Sequence, residues 1–218
     1  MAASPQYQNL VREHAKICRD LLPKNFDPAG NYPTRVLTAT LAYRVLSHAE
    51  IESYLEDRAF ETALIAVKAW QDKRKASKTL LGLLAFSGQD IESPPISVDL
   101  SQPIQSVAWE DKIQLSNRIE LAMNVFSYAV KNNHGIKENN IHRLLLPIGI
   151  EFHELDPVLL ADLNSFAEER GEVAHLSSRK YRTKQQINPK DELGRVKSII
   201  ARLINIDKAI DKLLLDIK

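Results

Sequence analysis

Arg170 and His175 stand five positions apart in the fragment Phe166-Ala167-Glu168-Glu169-Arg170-Gly171-Glu172-Val173-Ala174-His175-Leu176, where apolar periodic sequence gives way to polar sequence. A guanidinium stays charged and offers a planar fork of donors to a phosphate. An imidazole, with an ordinary pKa of about 6.5, can pass a proton in either direction near neutral pH. Together they meet much of what metal-independent RNA cleavage needs. That reaction requires a base for the ribose 2′-hydroxyl, a cation for charge on the phosphorane, and an acid for the leaving 5′-oxygen. One histidine does not easily begin as both base and acid, so a symmetric pair of chains is an attractive source of two. The blander reading makes His175 a helix cap or surface contact, with Arg170 paired to Glu168 or Glu169 on its own helix.

The sequence that follows favours a polyanion. Positions 173–190 hold no acidic residue but include Arg179, Lys180, Arg182, Lys184 and Lys190, with Tyr181 among them. Such a stretch draws phosphates, and an interleaved tyrosine can stack on a base. A short basic loop that is merely a solvated connection remains the alternative. Five supporting candidates lie further off. Arg44 is placed to reach a nucleic-acid cleft or to lie at the surface, and Glu50 or Glu52 to orient an active-site arginine. His142 and Arg143 join the cleft if their short helix faces it. His48, Glu50, Glu52 and Glu56 can be drawn as a metal site, but such residues on one helix are commonly its wet side. No metal and no cofactor is expected.

The elements that must carry these groups read as helices. Apolar residues repeat at three- and four-residue spacing from about Ser4 to Leu22, ending at Pro23. A second helix runs from near Pro33 to about Asp57, and a third over roughly residues 60 to 86. Gly88, Pro94, Pro95 and Pro103 mark an inserted loop at about 88–108, with at most one short strand over Ile96 to Leu100. A long helix follows from about Trp109 to Asn132, then a short one over Asn140 to Leu146, capped by Asn139 or Asn140. Asp156 caps a helix opened by Pro157 and running toward Glu169, and a last helix spans roughly Asp191 to Ile217. For the Arg170 and His175 side chains to share one face, the helix must break near Gly171, the arginine must reach far, or a second chain must complete the site. Five helical positions turn about 140°.

The expected architecture is therefore all-α, a bundle of long antiparallel helices forming one domain over 1–218, with a proline-rich loop inserted. The composition agrees: 44% of residues are hydrophobic and only seven are glycine. Twenty-nine basic and 28 acidic residues leave a net charge of +1, so only local clusters speak to nucleic acid. The single Cys18 excludes an intrachain disulfide and a thiolate-rich metal site. Met1 to Pro5 lacks the pattern of a secretory signal and no stretch suits a membrane span, giving the expectation of a soluble, cytoplasmic protein.

The segment Arg170-Gly171-Glu172-Val173-Ala174-His175 resembles the arginine, four to six residues, histidine motif of the HEPN superfamily. The segment from Ala42 to Glu56 resembles the early helix of several HEPN groups, and the likeness points to the RiboL-PSP-HEPN group. It spans the second helix to the last and says little of residues 88–108. It implies a small helical bundle acting as a metal-independent endoribonuclease, with 2′,3′-cyclic phosphate and 5′-hydroxyl products. It also implies a homodimer, with Arg170 and His175 lining a cleft where two copies meet. Toxin–antitoxin and abortive-infection roles, with an antitoxin or other defence-system protein as partner, come with the resemblance. So does the alternative of a non-catalytic module binding RNA or protein. Many members carry a polar residue directly after the arginine, where this chain has Gly171.

Overall fold

Between Pro33 and Gly82 the chain contains neither proline nor glycine. Nothing in that stretch forces a helix to stop. In a computed structural model, which describes residues 2–88, 114–175 and 187–217 with only the backbone of 173–175, it forms one helix of 40 residues, Thr34–Lys73. The interruption expected between about 57 and 60 does not occur. The helix ends instead at Arg74, whose φ of 53° is left-handed.

Around this axis (α2) stand α1 (Pro5–Leu21), α3 (Lys78–Ala85), α4 (Leu115–Lys131), α5 (Glu138–Leu145), α6 (Pro157–His175) and α7 (Pro189–Ile217). A single 3-10 turn covers Phe152–Glu154, and the described residues contain no strand. The fold is thus an all-α helical bundle. The expected short strand and the loop at 88–108 fall outside the described residues, Gly88 apart.

Side-chain caps set three of the helix starts. The Ser4 hydroxyl accepts from the Tyr7 N–H at 3.1 Å, and Ser77 does the same for Leu80 at 3.2 Å. Asp156 accepts from the Val158 N–H at 2.9 Å and so opens α6, with Pro157 following it. The expected asparagine cap on α5 is not formed. Lys137 occupies the cap position without a side-chain bond, and the Glu138 N–H is satisfied by Asn164 Oδ1 of α6 at 2.8 Å.

Helix α2 packs against all six other helices. Its buried residues include Tyr43 and Tyr54, with Ile51, Leu55, Ala59 and Ala63 recurring every four positions. They join Leu10, Leu83, Phe126, Ile141, Phe166 and Leu203 in one apolar cluster that draws on every helix.

Two buried polar networks fix helix positions. Asp207 on α7 is fully buried and accepts from the Ser4 backbone N–H at 2.8 Å, the Ser4 hydroxyl at 2.6 Å and the Tyr54 hydroxyl at 3.0 Å. Arg58 sits 3.1 Å from it and donates to Asp211 at 2.7 Å. The second network concerns the functional site. Arg44 of α2 is buried and paired with both Glu192 of α7 and Glu169 of α6, while Arg195 reaches Glu169 at 2.8 Å. These ion pairs lock α6 to α2 and α7 one residue before Arg170.

Candidate functional site

Successive helical residues point about 100° apart. Glu169 is held toward Arg44, at 2.9 Å, and Arg195. Arg170 therefore turns to the neighbouring face, onto a polar groove of about 460 Å3. From α6 the groove takes Ala167, Glu168, Arg170, Gly171 and Glu172. From α2 it takes His48, and from the α4–α5 loop and the start of α5 it takes His134, Gly135, Lys137 and Asn140.

The Arg170 guanidinium has no carboxylate within ion-pair distance among the described residues, and its Nε is buried without a hydrogen-bond partner there. The alternative that ties it to Glu168 or Glu169 is not what the structure shows. Glu169 is taken by Arg44 and Arg195, and Glu168 lies 3.4 Å from Lys137. A buried donor left unpaired costs about 1–3 kcal/mol, more when charged, so natural proteins seldom keep one without a use.

Glu52 lies within electrostatic reach of the arginine. Burial pushes its carboxyl up, but His48, the Arg170 charge and the Gly135 N–H outweigh burial and hold it below the usual carboxylate range. His48 is almost fully buried and tilts against the Phe166 ring at 6.0 Å. Its Nδ1 lies 3.5 Å from Glu52 Oε2.

Helix α6 runs unbroken through Gly171 to His175. The break that would have turned the arginine and histidine to one side is therefore not made, leaving the histidine backbone one and a half turns further along the same helix. The His175 side chain lies outside the described residues, as do Arg179, Lys180, Tyr181, Arg182 and Lys184.

The supporting candidates scatter. Arg44 is neither at the surface nor in the groove, because two carboxylates hold it in the interior. Glu52 does not line the groove, but it feels the Arg170 charge and the Gly135 N–H. Glu50 borders a separate surface groove with Gln6, Asn9 and Arg12 of α1. His142 and Arg143 lie on the other side of α5, along an apolar groove of about 250 Å3 lined by Phe86, Val125 and Phe126. His142 also meets the Phe152 ring edge-on at 4.7 Å. Their helix does reach the Arg170 groove, but through Asn140. His48, Glu50, Glu52 and Glu56 do not converge, and the described residues contain no group of three or more His, Cys, Asp or Glu arranged to hold a metal ion. No described helix is long and apolar enough to cross a membrane.

His134 and Lys137 were not singled out by sequence reasoning. They lie more than thirty positions before Arg170, and only an amide-rich segment, Asn132 to Asn140, marks the place. No family model, curated protein or solved structure matches this chain.

Proposed function

We propose that this protein is a metal-independent endoribonuclease whose Arg170 stabilises the scissile phosphate. His175 would transfer a proton to or from a ribose oxygen, and the products would be 2′,3′-cyclic phosphate and 5′-hydroxyl ends. The observation that carries the reading is the Arg170 guanidinium, without an ion-pair partner among the described residues, on a groove that also holds two imidazoles. A cation whose buried Nε has no hydrogen-bond partner among the described residues suits an oxyanion whose charge grows in the transition state. The basic run around Tyr181 supports RNA as the polyanion. The HEPN resemblance supports a homodimer and a defence-system or antitoxin partner.

A second reading, a non-catalytic module that binds RNA or protein, draws on Glu168 and Glu172, whose carboxylates line the same groove and dilute its positive charge. The deciding assay incubates single-stranded RNA with the protein in excess chelator, beside His175→Ala, and maps the new ends. The nuclease reading expects cyclic phosphate termini from the native chain and little cutting by the variant. Equal cutting by both, or none by either, contradicts it.

A further inference from the structure

The loop joining α4 to α5 is held far more firmly than a simple connection needs. Asn133 is buried, and its Nδ2 donates to Glu56 Oε1 of α2 at 2.7 Å and to the Gly135 carbonyl at 2.9 Å. Its Oδ1 accepts from Asn140 Nδ2 of α5 at 2.9 Å. The Asn164 bond to the Glu138 N–H ties the start of α5 to α6 in turn. Between these pinned positions His134 is exposed and lines the Arg170 groove. A side chain carried on a clamped backbone loses little freedom when it engages a substrate, which is the condition for precise proton transfer.

From this geometry we infer that His134 is the second proton-transfer group of the site, so that a single chain supplies both the phosphate-binding cation and one acid–base imidazole. The inference rests on the endoribonuclease reading and removes the need to borrow that imidazole from a second copy. The step balances without a co-reactant. One imidazole accepts the 2′-hydroxyl proton as the 2′-oxygen–phosphorus bond forms. The other gives its proton to the 5′-oxygen as the phosphorus–5′-oxygen bond breaks, while Arg170 faces the non-bridging oxygens. The titratable and charged groups around His134 are His48 and Glu56 from α2, Lys137 at the start of α5, and Glu168, Arg170 and Glu172 from α6.

The test measures single-turnover cleavage of single-stranded RNA in excess chelator across about pH 5–9, for the native chain, His134→Gln and His134→Ala. Both variants should cut about 100-fold more slowly or worse, and lose one limb of the pH–rate profile. Their melting temperatures should stay native, because the ring is at the surface. Loss of the acidic limb makes His134 the base, and loss of the alkaline limb makes it the acid. Native rates with both limbs intact would overturn the inference while leaving the nuclease reading standing. A native chain that cuts no RNA would overturn both. Mixing Arg170→Ala with His134→Ala then tests the single-chain assignment, for which the mixture stays inactive. Recovery to about a quarter of the native rate, as expected when each site draws on two chains of a dimer, would contradict it.

Discussion

At the scale of single residues, Arg170 and Glu56 make opposite demands on their surroundings. Arg170→Met keeps the length of the side chain but deletes a buried donor that has no partner among the described residues. Such a replacement should leave the melting temperature close to native, because the desolvation penalty it lifts offsets the lost attraction to the Glu52 carboxylate. A structural arginine would instead give a clear fall. Glu56 is pushed up by burial, which with repulsion from Glu52 and Asp57 outweighs the lowering by the Asn133 amide. A carboxyl raised in the folded state holds its proton more tightly there than in the unfolded chain. Its stabilising share is thus present below the ordinary value of 4.5 and is lost as pH rises through the folded value. Glu56→Gln keeps an acceptor for Asn133, so it should raise the melting temperature more at about pH 7 than at about pH 4. An equal or reversed difference in thermal melts would show that the carboxylate is stabilised in place.

At the scale of elements, glycine separates packing from propensity. A Cβ on Gly82 would fall 2.5 Å from the Pro147 carbonyl oxygen and 3.2 Å from its carbon, where α3 presses on backbone that cannot swing aside. Gly82→Ala should lose about 1–3 kcal/mol in denaturant titration. A Cβ on Gly171 meets nothing within 4 Å, and the residue lies inside an unbroken helix. Gly171→Ala should therefore gain about 0.5–1 kcal/mol. Removing Asp207 acts in the opposite sense, since it strips Ser4, Tyr54 and Arg58 of a buried partner at once. Asp207→Ala should lose about 3–5 kcal/mol. The sequence shows the start of α6 where Asp156 declares a cap, but it runs one helix over roughly residues 60 to 86 straight through Ser77, which in fact caps α3. It misplaces the end of α2, because apolar spacing varies inside a helix packed on several sides while no breaker marks a boundary. The α5 cap was illegible for another reason: the side chain that satisfies the Glu138 N–H comes from Asn164, on a different helix.

At the scale of the whole molecule, α2 acts as a spine that sets α6 by ion pairs and the α4–α5 loop by an amide. The groove forms where those two attachments face one another. Arg170 was legible as a candidate from its type and its place at the end of an apolar helix. His134 and Lys137 were not, because no local spacing connects them to it. Arg44 was misjudged because a buried arginine and an exposed one look alike until Glu169 and Glu192 are brought to it from two other helices. In the proposed nuclease the guanidinium on α6 serves a phosphate rather than the fold. Single-turnover cleavage of end-labelled single-stranded RNA in excess chelator, by native protein and Arg170→Met side by side with their melting curves, tests it most directly. Arg170→Met should cut about 100-fold more slowly or worse with no loss of thermal stability. Equal rates, or a rate loss matched by a collapse in melting temperature, would contradict it.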